Sequence, residues 1–253
     1  KVNFENIKLK DKFKDNKHKI DKKLFFSNKE IKIKFRNTLE SKKSLNINIP
    51  DLNQSLEINF DKESNLKNLS GNLKLSIFDS ILLINFEGKD DFKILNSYLR
   101  NKFINTKIDG KISFKDPFNF DLNLDVNQIN LRRLIAFFPI LETALISKKI
   151  NGILNINIKN IESLLGKAKG TSMQLYFQNG DLKLKNIKSE LPFSSLLNSN
   201  ISLTHNNNKP KIEYNIKFSS DNAEKFLRKL GIYNYGQKKI ILYSEGVIDL
   251  NNK

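Results

Sequence analysis

The chain contains no cysteine. Disulfides, thiolate-held zinc, thiolate-held iron–sulfur centres and thiol catalysis are therefore excluded. Only two histidines occur, His18 and His205, and they lie far apart in sequence. No run of about 18 apolar residues exists, so no transmembrane helix is predicted. The nearest stretch, Leu134–Ile146, is interrupted by Pro139 and Glu142. The chain starts at Lys1 without a signal-peptide pattern and stops just after a strand-like segment, Val247–Leu250. Both ends read as cut, so the expectation is a fragment of a longer protein, with any anchor or export signal outside it. Arginine is scarce as well: only 5 of the 44 basic residues.

What is present is a core-forming chain. Its 253 residues (29.3 kDa) are 39% hydrophobic and include 19 phenylalanines spread along the length. That excludes disorder and fits one large domain or two small ones. The formal net charge is +17 and the mean hydropathy −0.46. A charge this large suggests nucleic acid or an anionic membrane. Phosphate readers, however, lean on the bidentate fork of arginine. Lys, Asn and Ile together make up 106 residues, a bias that AT-rich codons explain, and by this reading the asparagines are background. The charge is uneven. Residues 1–43 carry a net +9, and Lys8–Lys23 is the one candidate basic patch, read as a solvated edge or a contact with lipid headgroups.

Apolar/polar alternation dominates and predicts strands with one buried face. It runs through Ile31-Ile33-Phe35, Leu45-Ile47-Ile49, Leu56-Ile58-Phe60, Leu73-Leu75-Ile77, Leu82-Ile84-Phe86 and Ile112-Phe114. The longest case is Phe118, Phe120, Leu122, Leu124 and Val126, with Asn or Asp between them. Leu154-Ile156-Ile158, Leu175-Phe177, Leu182-Leu184, Ile201-Leu203, Ile212-Tyr214-Ile216-Phe218 and Ile240-Leu242 follow. About a dozen strands are predicted. Turns are expected at Ser70-Gly71, Asp109-Gly110, Asn151-Gly152, Asn179-Gly180 and Asn206-Asn207-Asn208.

Helical spacing predicts helices over Asp91–Phe103, over Leu131–Ile146 and over Asp221–Leu230, with one short turn at Ile161–Leu165. The helix at Asp221–Leu230 would be capped by Ser220 or Asp221 and ended by Gly231. The expected fold is mainly β: a long antiparallel curled sheet, groove-like and short of a closed barrel, with a few short amphipathic helices on its apolar face. Residues 1–65 form a basic β-rich segment continuous with the sheet, and residues 66–253 the main groove region.

No catalytic constellation survives inspection, and the chain is not read as an enzyme. Asp121-x-Asn123-x-Asp125 imitates a calcium loop, but Val126 and Arg132 stand where Gly and Glu are required. Ser64-x-x-Lys67 lacks the partner motifs of penicillin-binding proteins. Asp90-Asp91 reads as a helix-start cap, and His205 as a loop residue without the orienting partner that a catalytic base needs. Asn53, Asn68 and Asn200 begin glycosylation sequons that this much asparagine produces by chance. No cofactor and no metal site is indicated.

One stretch carries a resemblance. FNFDLNLDVNQINLRRLI is followed by INGILNINIKNI, then by GKAKGTSMQLYFQNGDLKLKNIKSELPFSSLLNSNISLTH, and finally by IKFSSDNAEKFLRKLGI before a closing strand. This order resembles the AsmA family of Gram-negative envelope proteins, toward the C-terminal part of such chains, over about residues 66–253. The chain departs from typical members in its Lys/Asn load and in lacking the N-terminal membrane anchor. The resemblance implies a periplasmic protein tethered to the inner membrane through an anchor outside this fragment. It implies a β-groove similar to TamB-like and bridge-like lipid-transfer proteins, and a role in outer-membrane biogenesis through phospholipid passage. The groove lining, or else plain core, would be Phe118, Phe120, Leu122, Leu124 and Val126, then Leu154, Ile156, Ile158, Leu175 and Phe177, then Ile212, Tyr214, Ile216 and Phe218. The rival reading is an envelope scaffold that binds protein partners through sheet edges. A nucleic-acid-binding role is disfavoured because the aromatics alternate into the buried face.

Overall fold

The structure, a computed structural model, describes residues 18–26, 29–37, 43–61, 64, 68–130, 147–163, 166–206, 209–233, 236 and 238–249. Among these, fifteen strands follow one another: β1 (His18–Phe26), β2 (Lys29–Asn37), β3 (Ser44–Ile49), β4 (Gln54–Phe60), β5 (Leu69–Ile77), β6 (Ser80–Gly88), β7 (Asp91–Arg100) and β8 (Ile104–Ser113). Then come β9 (Phe118–Asn130), β10 (Ile150–Ser163), β11 (Gly166–Gln178), β12 (Asp181–Leu191), β13 (Ser195–Asn206), β14 (Lys209–Ser220) and β15 (Ile240–Asp249). One short helix, α1 (Ala223–Lys229), joins the last two strands.

All fifteen strands make one sheet whose spatial order is the chain order, and β1 and β15 stay apart as free edges. The sheet is open rather than a barrel. Every pairing is antiparallel except β9 with β10, which run parallel with Leu122 beside Leu154 and Leu124 beside Ile156. A parallel pair needs a crossover of a dozen or more residues, and residues 131–149 are long enough to supply it. The predicted helix at Leu131–Ile146 lies outside the described residues.

Alternation puts the apolar side chains of each strand on one face, and the pairing keeps those faces aligned. Leu45 sits opposite Ile58, Ile58 opposite Leu73, and Leu73 opposite Ile84. Further on, Leu154, Leu175, Leu184, Ile201 and Tyr214 form one row.

The helix expected at Asp91–Phe103 is instead β7. The cause is a bulge. Asn96 adopts a left-handed conformation (φ 49°), and the register shifts between Ile94 and Ser97. Phe92 and Ile94 before it, and Ser97 and Leu99 after it, all share the apolar face. Two runs of period two, out of phase by one residue, imitate a period of 3.6. Asp90-Asp91 therefore caps no helix. Asp91 opens β7, where hydrogen bonding from the Ser113 hydroxyl and then from the Lys115 ammonium holds its carboxyl below the usual range. The short turn expected at Ile161–Leu165 is corrected too: Ile161 continues β10 and pairs with Ala168. The helix at Asp221–Leu230 is present, but its cap is Asn222, whose Oδ1 accepts from the Lys225 N–H at 3.4 Å. Gly231 (φ 79°) follows it, as expected.

Three predicted turns are strand interiors. Gly71, Gly110 and Gly152 lie within β5, β8 and β10. At Gly152 (φ 153°) a Cβ would come within 2.7 Å of the Phe120 ring. Glycine lets an aromatic ring from the neighbouring strand lie over the backbone. Asn179-Gly180 does form the turn between β11 and β12. Asn206 belongs to β13, residues 207–208 lie outside the described residues, and His205 is a strand residue paired with Pro210.

The polar face carries a row of ten amides and two carboxylates at one level of the sheet, one residue from each strand from β4 to β15. The row reads Asn59, Asn72, Asn85, Asn96, Asp109, Asn123, Asn155, Gln174, Asn186, Asn200, Asn215 and Glu245. It is tied by side-chain hydrogen bonds. Asn155 Nδ2 donates to Asn123 Oδ1 (3.1 Å), Gln174 Nε2 to Asn155 Oδ1 (3.0 Å), and Asn186 Nδ2 to Gln174 Oε1 (2.9 Å). The asparagines are thus structural, not merely a compositional background. Changing Asn155 to Ala removes two such bonds and is expected to lower stability by about 1–2 kcal/mol. Asn198→Ala, on an exposed residue outside the row, should stay within about 0.5 kcal/mol of wild type. Urea unfolding of both variants checks the contrast.

Candidate functional site

The fourteen residues expected to line a groove all fall on one face. Phe118 to Val126 project from β9, and Leu154, Ile156 and Ile158 lie beside them on β10. Leu175 pairs with Leu154, and Phe177 faces Gly152. On β14, Ile212, Tyr214, Ile216 and Phe218 continue the same face through Leu203, Ile201, Ser199 and Leu197 of β13.

Burial divides this set. Val126, Ile158 and Phe218 are 4%, 6% and 8% exposed and belong to dry cores. One core gathers Val126, Ile129, Ile158, Ile161 and Ala168 at the far ends of β9 and β10. The other is made by α1, whose Phe226 and Leu227 close over Phe218, with ring centroids of Phe218 and Phe226 4.3 Å apart. For these three residues the core reading holds. The other eleven are only half-buried.

An apolar trough lies where the sequence reading nominated no residue. Ile58, Phe60, Ile84, Phe92, Ile112 and Phe114, among others, from strands β4 to β8 and the residue after β8, line a single trough of about 290 Å³. Every residue lining it is apolar. Along the rim where β4, β6 and β8 end and β5, β7 and β9 begin, phenylalanines form a continuous ladder. It runs Phe60, Phe86, Phe92, Phe114, Phe118, Phe120, Phe177, with successive centroids 5.4–6.1 Å apart. Edge-to-face and tilted contacts of this kind contribute about 0.5–1.5 kcal/mol each. Yet the ladder is not dry: Phe114 is 69% exposed. The sequence signal was there, in Phe residues set opposite glycines, but the glycines read as turns and Phe92 as helical.

The apolar face has little with which to do chemistry. No group of three His, Asp or Glu side chains able to hold a metal occurs among the described residues. Hydroxyls occur on this face, among them the buried pair Thr171 Oγ1 and Ser189 Oγ at 2.6 Å. No helix among the described residues is long and apolar enough to cross a membrane, which leaves β-barrel spans unaddressed. The arrangement can hold an elongated apolar ligand by non-directional contact.

No family model matches the chain, and no curated protein and no solved structure matches it.

The division between core and trough is directly measurable. Phe218→Ala should cost about 3–5 kcal/mol of unfolding free energy, as truncation of a packed core aromatic does. Phe114→Ala should cost clearly less, about 1 kcal/mol, because the ring is mostly solvent-exposed and chiefly its two ladder contacts are lost.

Proposed function

We propose that this chain holds or conducts phospholipid acyl chains along its apolar sheet face, as the periplasmic part of an envelope protein tethered to the inner membrane. The observation that carries the reading is the apolar trough along β4–β8, lined without a polar side chain, on the same face as the row of half-buried residues on β9–β14. Contiguous exposed apolar surface of this kind marks a binding surface rather than a fold requirement. Acyl chains gain about 0.8 kcal/mol per buried CH₂, and a face without directional contacts lets them slide. The resemblance to the AsmA family supplies the envelope setting and the role in outer-membrane biogenesis.

A second reading has one observation in its favour. β15 is a free edge with Ile241, Tyr243 and Val247 exposed, so a scaffold that recruits a partner strand there would use the same fold without a conduit.

Native mass spectrometry of the chain purified from a Gram-negative host, followed by lipid extraction, tests the first reading. Phospholipid should co-purify. It should be lost in Leu122→Asp and Phe92→Asp while circular dichroism retains the strand signal. A folded wild-type chain that carries no lipid would make the trough a plain surface and favour the scaffold.

A further inference from the structure

We infer that the corner formed by α1 and the segment after it is a docking surface for an anionic phospholipid bilayer. The inference rests on the lipid reading and deepens it, because it names the surface from which acyl chains reach the apolar face. The corner lies beside β14 and β15, at one side of the described sheet.

α1 spends its apolar residues inward: Ala223, Phe226 and Leu227 are buried against the sheet. The next apolar residues point the other way. Leu230 is 49% exposed, Ile232 51% and Tyr233 71%. They are held in place, since the Ile232 N–H donates to the Leu227 carbonyl at 2.9 Å and the Gly231 N–H to the Arg228 carbonyl at 3.1 Å. Around them stand Lys225, Arg228, Lys229, Lys238 and Lys239, all exposed. Asp221 and Glu224 are the only acids between 221 and 239, giving that segment a net +3. Glu224 takes Arg228 at 2.7 Å and Asp221 takes Lys239 at 3.6 Å. Lys225, Lys229 and Lys238 have no ion pair among the described residues.

The helix macrodipole accounts for Arg228 and Lys229. It does not account for Lys238, or for three large apolar side chains displayed side by side. Apolar anchors with a tyrosine among unpaired lysines fit the boundary between headgroups and acyl chains. Each Lys or Arg near an anionic surface adds to the attraction. A single-stranded nucleic acid would need several stacking aromatics in a basic groove, and Tyr233 is the one aromatic this corner offers among the described residues.

The chain has no tryptophan, so Tyr233→Trp installs a unique fluorophore. With vesicles of equal parts phosphatidylcholine and phosphatidylglycerol its emission should shift to the blue and be quenched by brominated acyl chains. With phosphatidylcholine alone neither should occur. Phe78→Trp, on a distant exposed turn, should show neither with either vesicle. In vesicle flotation, Lys229→Gln combined with Lys238→Gln should lower partitioning onto the anionic vesicles about thirtyfold. Ile232→Ser, which keeps every charge, should also lower it. If the Tyr233→Trp emission is unchanged while the protein binds, or if these variants float like wild type, diffuse positive charge does the binding and the inference is overturned. The same preparations are assayed for co-purified lipid. Lipid present without the spectral shift sinks this inference alone, and the shift without lipid sinks the groove reading alone.

Discussion

The register of fourteen strand pairings is the constraint on which everything else depends. Because the sheet follows chain order, each strand pairs only with its neighbours in sequence. A slip of one residue at any pairing would turn the apolar set of that strand to the wrong face. The sheet corrects its phase with bulges, and two of them use the same device. Asn96 and Asn186 adopt φ of 49° and 55°. The N–H that each bulge frees is taken by a side chain on the next strand, Asp109 Oδ1 at 2.7 Å and Asn200 Oδ1 at 2.9 Å. Asparagine suits this position because it tolerates the left-handed region. The amide row is therefore also the line along which register is enforced.

Burial is distributed unevenly along that register. The dry clusters sit around β9–β11 and under α1. Across β3–β8, Ile94 is the one large apolar residue buried among those described. This wing is held by cross-strand pairs and by the phenylalanine ladder rather than by a second layer. A sheet with one face uncovered gains less from apolar burial than a sandwich does. Apolar chains lying in the trough would supply the missing layer, so on the lipid reading occupancy and stability are linked.

Much of the architecture was legible in the sequence, because period-two alternation is a direct record of a half-buried strand. What misled was phase. Phe92, Leu95, Tyr98 and Leu99 resemble a helical face only because a bulge intervenes, and Leu95 is 48% exposed on the outer side. The turn expected at Ile161–Leu165 failed because Ile161 continues β10 and pairs with Ala168. Gly71, Gly110 and Gly152 read as turns because a sequence cannot show what lies against them: the backbone of the neighbouring strand at Gly71 and Gly110, and the Phe120 ring at Gly152. The asparagines read as background because a row built from twelve different strands has no local period. The candidate face was legible strand by strand, but the trough was not. Its lining is gathered from β4 to β8 and the residue after β8, and no single segment encodes that.

Charge completes the picture. On the polar face Lys93 stands opposite Lys111, yet Glu87 and Asp121 flank the pair on the adjoining strands. Elsewhere uncharged amides occupy the row where like charges would have met. Local repulsion is thereby limited along most of the sheet. The excess is uneven along the chain: +9 within residues 1–43 and +3 within 221–239, leaving +5 for the other 191 residues. The α1 corner is thus a place where positive charge collects beside the apolar face. Overall net charge, which first suggested nucleic acid, is thus less informative than its position relative to the sheet order.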